Sequence, residues 1–142
     1  MLRAPLGLQW VIASLVAGLV VLVAGVLLLG RGAAPPGPPW TPLGAVETLH
    51  ASTVDGPSGL LVVNVGGRVR AFRAPADVTY CAPSNRLEHP DGRVWALTGR
   101  GTGGQPSLAP VPTLTVAGIA YVDATVTGAP PEPLAELSEP GC

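Results

Sequence analysis

Hydrophobic positions run without a break from Trp10 to Leu29, twenty residues holding no charge and no histidine. At 1.5 Å rise per residue, a helix of that length just crosses the roughly 30 Å hydrocarbon core of a bilayer. The pattern predicts a membrane anchor over residues 1–31. A cleaved secretory signal has a shorter apolar region, about 7–15 residues, before a small-residue cleavage site. Gly32-Ala33-Ala34 imitates such a site, but the length favours an uncleaved span. Residues 32–42 follow as a Pro/Gly-rich stalk, Gly32-Ala33-Ala34-Pro35-Pro36-Gly37-Pro38-Pro39-Trp40-Thr41-Pro42, whose prolines favour an extended polyproline II path. From Leu43 the period changes to two, the repeat of a strand.

Strands then alternate with turn signals. Leu60–Val65, Gly66-Gly67 and Arg68–Arg73 read as a hairpin with a tight two-residue turn. In its second strand Arg68 and Arg70 point to one face and Val69 and Ala71 to the other. Asp91-Gly92 opens a strand over Arg93–Leu97, and Ala117-Gly118 separates Thr113–Val116 from Ile119–Asp123. These short runs predict a small all-β head of antiparallel hairpins, a barrel or sandwich, over 43–127, with a tail over 128–142.

Composition adds limits rather than chemistry. The 142 residues carry a net charge of −1, only 12% are charged, and 19 glycines and 17 prolines crowd the chain. No basic surface for nucleic acid results. Arg3 stands before the anchor and Arg31 behind it; with the terminal amine this thin bias places the N-terminus in the cytoplasm and the head on the periplasmic or extracellular side of the cell membrane. Ser14, Ala17, Gly18, Ala24 and Gly25 gather on one broad helix face, where small side chains admit a partner helix. Trp10, Trp40 and Trp95 are the candidate interface aromatics.

Only Cys81, Cys142, His50 and His89 offer soft ligands, and they show no close metal spacing. No metal or cofactor is expected. Neither histidine sits in a triad context, so no catalytic residue is assigned. His89, in Glu88-His89-Pro90-Asp91-Gly92, reads as a solvated turn residue, and His50 follows an edge strand. Gly99-Arg100-Gly101-Thr102-Gly103-Gly104 offers backbone donors but lacks the lysine and helix of a phosphate-binding loop; it reads as a flexible loop. In an oxidising compartment Cys81 and Cys142 would pair, with the tail folding back over the head; the alternative is a free thiol on a frayed acidic terminus.

The order of segments resembles the Rieske iron-sulfur domain. In that family a strand ending in "AF" enters a C-x-H-x-x-C loop, a second strand enters a C-x-x-H loop, and a closing hairpin ends in "YVD". Here the corresponding segments are Ala71-Phe72 through Cys81, Asp91 through Gly99, and Val111 through Asp123. On that frame the ligand positions fall on Ala76, Val78, Ala96 and Gly99, none able to bind iron, whereas the centre needs two thiolates and two imidazoles. Cys81 falls on the family's non-ligand cysteine, and Thr98 stands where its disulfide partner would be. The resemblance implies a cluster-less Rieske-like β domain on an anchor and tether, as in the Rieske subunits of cytochrome bc complexes. The expected function is a non-catalytic, single-pass accessory subunit of a respiratory or photosynthetic electron-transfer complex. Its partners would be membrane lipid and other membrane subunits, reached through helix and head. The alternative is an independent tethered module binding a ligand or soluble partner through the Ala74–Cys81 and Thr98–Gln105 loops.

Overall fold

The structure, a computed structural model, describes residues 6–29, 32–55 and 59–142. It divides into two compact units, Met1–Ala34 and Pro35–Cys142.

The first unit contains α1, Leu6–Leu29. It begins several residues ahead of the uninterrupted apolar run, and its Gln9–Leu28 stretch is long and apolar enough to cross a membrane. Large apolar side chains from Trp10 to Leu28 stand exposed all round the helix. A helix apolar on every face suits a hydrocarbon solvent rather than a one-sided core. Its internal hydroxyl is satisfied locally: Ser14 donates to the Trp10 carbonyl at 2.8 Å, which removes the cost of an unpaired polar group in lipid.

The second unit is a β head of three sheets, every paired strand antiparallel. Its strands are β1 Thr41–Ala45, β2 Ser52–Asp55, β3 Leu60–Val65, β4 Arg68–Arg73, β5 Thr79–Cys81, β6 Arg86–Glu88, β7 Val94–Trp95, β8 Ala109–Val111, β9 Thr113–Val116 and β10 Ile119–Val122. Sheet order is β1-β10-β9, β2-β3-β4-β8 and β5-β6-β7. The first strand starts inside the expected stalk: Thr41 and Pro42 pair with Val122 and Tyr121. The strand expected over Arg93–Leu97 shrinks to two residues because Ala96 turns away, its N–H donating to the Arg100 carbonyl.

The β2-β3-β4-β8 sheet is the middle layer, which explains the unalternating run Leu60-Leu61-Val62-Val63. Leu61 and Val63 face a core with Phe72, Val78, Leu87, Trp95 and Leu108, while Leu60 and Val62 face a second core with Ala71, Val111 and Val122. A strand buried on both sides has no polar face to show. Each such side chain contributes roughly 1.5–3 kcal/mol. Pro110 is tolerated in β8 because that strand is an edge, without a second neighbour to receive an N–H.

Candidate functional site

Between β4 and β8 the chain makes an excursion that builds the small β5-β6-β7 sheet and the loop after it, and the C-terminal tail is strapped across this tip. The loop is folded, not loose. Leu108 N–H donates to Gly99 O at 2.7 Å and Gly101 bridges Trp95. Thr102 Oγ1–H donates to Val94 O at 3.0 Å, Gln105 Nε2–H donates to the same oxygen, and Arg70 Nη1–H reaches Leu97 O at 2.8 Å. Gly99 has φ +81°, and a Cβ there would lie 2.6 Å from Phe72 Cε1. Only glycine fits both constraints.

The tail bonds to the loop in both directions, taking two of its amides and donating to one of its carbonyls. Gly128 N–H donates to Pro110 O (2.7 Å), Leu134 N–H to Gly101 O (2.7 Å), Gly104 N–H to Leu134 O (2.9 Å) and Gly103 N–H to Glu136 O (2.8 Å). Arg100 Nε–H donates to Glu132 O at 2.7 Å. The glycine-rich loop expected to be flexible is therefore pinned, and the Gly103 and Gly104 N–H groups, which could have met an anion, are bonded to the tail.

The strap ends in a corner built by the β5-β6 hairpin. Cys81, 1% exposed on β5, is joined to Cys142 in a disulfide. On β6, Glu88 is buried, and its Oε1 accepts from Ser84 Oγ–H at 2.6 Å and Gly141 N–H at 2.8 Å while Oε2 accepts from Cys142 N–H at 2.9 Å. A buried carboxylate is costly unless its lone pairs are filled. Burial pushes the Glu88 carboxyl up, but these hydrogen bonds and the Arg86 charge outweigh it and hold the group below its ordinary value. Beside the corner lies a depression of about 460 Å³ lined by Thr79, Glu88, His89, Pro90, Gly92, Pro140 and Cys142.

Next to it a short surface array runs from His89, whose Nδ1 lies 2.7 Å from Asp91 Oδ1, through Asp91 to Arg93 Nε, 2.7 Å from Asp91 Oδ2. The Arg93 guanidinium lies over the Trp95 ring, 5.4 Å from its centroid. His89 is thus half-buried and engaged rather than freely solvated.

Other expected site residues are scattered. Trp95 is 2% exposed, and its indole N–H donates to Pro106 O at 3.0 Å. It is a core residue, packed with Leu61, Phe72, Leu87 and Leu108, and this burial corrects the expectation of an exposed interface aromatic. Trp40 is half-buried and Trp10 is 74% exposed. Ser14, Ala17, Gly18 and Ala24 are exposed, Gly25 partly so, and a Cβ added at Gly18 or Gly25 would meet nothing within 4 Å.

The four positions where the resemblance would put cluster ligands do not converge on donors. Ala76 is exposed, Val78 is fully buried in the core, Ala96 is half-buried and Gly99 packs on Phe72. These residues do not fit an iron-sulfur cluster, and Cys81 spends its sulfur on Cys142 rather than across to position 98. Sequence reasoning missed Glu88 and Ser84 as the tail's anchor; nothing in Arg86-Leu87-Glu88 distinguishes a strand-borne acceptor from a solvated charge. No family model, curated protein or solved structure matches this chain.

Proposed function

We propose that the protein is a single-pass accessory subunit of a membrane electron-transfer complex, respiratory or photosynthetic, whose head docks against or braces its neighbours and performs no chemistry. In this reading α1 crosses the cell membrane with its N-terminus cytoplasmic and carries the head on the periplasmic or extracellular side. The head is a Rieske-like frame that has lost its redox centre. One observation carries the proposal: the β head has an excursion sheet between β4 and β8, and the four positions that the sequence resemblance aligns with cluster ligands, Ala76, Val78, Ala96 and Gly99, have no side chain able to bind iron. The strap supports it further. A tip held by a disulfide, a buried carboxylate and four hydrogen bonds between the tail and residues 100–104 is a rigid projection, and rigidity lowers the entropic cost of docking.

The open Gly18 face of α1 suits close approach by another helix, since transmembrane helices pack through small residues. A photoreactive side chain at Gly18 tests this in native membranes. Discrete cross-linked bands at one or two fixed masses are expected; a diffuse lipid adduct alone sinks the subunit reading. The alternative, a self-sufficient tethered binding module, is weakened at the Thr98–Gln105 loop because the tail already occupies its backbone.

A further inference from the structure

We infer that the corner formed by Cys81, Glu88 and Cys142 binds a divalent cation of the zinc class whenever its two sulfurs are thiols. The two Sγ atoms and a Glu88 carboxylate oxygen all lie within 4.8 Å of one another. A tetrahedral zinc site, with Zn–S near 2.3 Å and Zn–O about 2.0–2.2 Å, spaces such ligands roughly 3.3–3.8 Å apart. The sulfurs need only part from bonding distance. Two of the three ligands are fixed by the fold, because Cys81 and Glu88 sit on the paired strands β5 and β6. The third, Cys142, lies on the exposed strap and can shift. Its backbone N–H and that of Gly141 donate to Glu88, contacts that keep the thiol beside the carboxylate after the sulfur–sulfur bond is gone.

Glu88 retains coordinating capacity. Among the described residues Oε2 accepts a single hydrogen bond, from the Cys142 N–H, which leaves it a lone pair with which to ligate an ion. Two thiolates and one carboxylate select zinc-like ions over magnesium or calcium, which prefer all-oxygen shells. The fourth position falls to water from the depression that Thr79 and His89 line.

The thiol form exists in the newly made chain, before oxidation. An oxidised head returns to it by exchange with a dithiol, which passes two electrons and two protons to the cysteine pair and becomes a disulfide itself. Binding of the cation then releases both thiol protons. The ion thereby takes over the mechanical role of the cross-link, so the strap stays anchored in either redox state. This site is separate from the four positions at which the family would hold a cluster, and it does not depend on the subunit reading.

The test uses the full chain in detergent, reduced with a phosphine, desalted without oxygen and titrated with Co²⁺ as a spectroscopic stand-in for zinc. One Co²⁺ per chain is expected, with a near-ultraviolet thiolate charge-transfer band and visible bands of a tetrahedral ion, all displaced by Zn²⁺. The oxidised protein should give none of these. Glu88→Gln should weaken binding at least about tenfold, and Cys142→Ser should remove about half the charge-transfer intensity. Ser84→Ala, which removes a hydrogen bond to Glu88 but no ligand, should stay within a few-fold of wild type and so separates ligand loss from loosening of the corner. Absence of the thiolate band in reduced wild type at stoichiometric Co²⁺, or equal affinity in Glu88→Gln, would overturn the inference.

Discussion

Replacing Cys142 by serine removes one covalent link and almost no buried surface, so its effect measures what the strap contributes to the head. The disulfide spans a sequence separation of 61 residues, and on the chain-entropy account closing a loop of that length stabilises the folded state by about 4 kcal/mol. The head holds roughly a hundred residues, and at about 2.1 cal/mol/K of unfolding entropy per residue the loss corresponds to a fall in Tm of roughly 15–20 °C. The assay is thermal unfolding of the full chain in detergent, followed by near-ultraviolet circular dichroism of the buried Trp95. Hydrogen exchange at Gly103 and Gly104 supplies the local reading, because their amides donate to the tail carbonyls of Glu136 and Leu134. Both amides should exchange faster in Cys142→Ser than in wild type, by more than amides of the β3-β4 hairpin. A variant melting within about 3 °C of wild type, with those amides equally protected, would refute the view that the disulfide secures the strap.

Further outcomes follow from the same contacts. Glu88→Gln replaces an acceptor of three hydrogen bonds with an amide whose NH2 must face one of the two backbone donors, Gly141 N–H or Cys142 N–H, and should cost about 1–3 kcal/mol in urea unfolding. Because the folded-state pKa of Glu88 is depressed below 4.5, its contribution is present above about pH 4.5 and lost as pH falls through the folded value; wild type should lose stability there while Glu88→Gln shows a flatter profile. Trp95→Ala empties the centre of a core and strands the Pro106 carbonyl, so a loss of about 3–5 kcal/mol in denaturant midpoint analysis is expected; an effect under about 1 kcal/mol would mean the side chain is not packed as described. Gly99→Ala combines a left-handed backbone with a contact on Phe72 and should cost about 2–5 kcal/mol, read by the same titration. Leu19→Arg puts a charge near the middle of α1 at a cost of roughly 3–4 kcal/mol, and should shift the chain from the carbonate-resistant membrane fraction toward the soluble one.

Local chemistry made part of this fold readable. Gly66-Gly67 and Ala117-Gly118 mark the two hairpins at the residues where the structure turns, because glycine at 66, 67 and 118 admits left-handed backbone without a Cβ clash, while Ala117 adopts it at φ +49° beside Gly118. The long apolar helix was visible for a similar reason, since a helix fit to cross a membrane is marked by length and apolarity alone. What stayed hidden depends on contacts far apart in sequence. Strands β5 and β6 are three residues each, too short for a period to emerge. Pro110 lacks the N–H of a central strand, and β8 holds it only because that strand is an edge. Trp95 looked like a free aromatic, and only the closure of the 96–108 loop puts its N–H on Pro106. The Glu88 corner is the clearest case: a carboxylate on a short strand meets the backbone of residues 141 and 142 across more than fifty positions, and no local pattern records that meeting.

The account rests on a head that works by attachment, and the mass of the native assembly tests this most directly. Membranes from the source cells, solubilised in mild detergent, should yield the chain in one discrete species much larger than its own 14.3 kDa plus micelle, with integral membrane proteins present at fixed stoichiometry. Migration as a lone chain, or in an assembly where this chain itself holds iron and acid-labile sulfide in equal molar amounts, would contradict it.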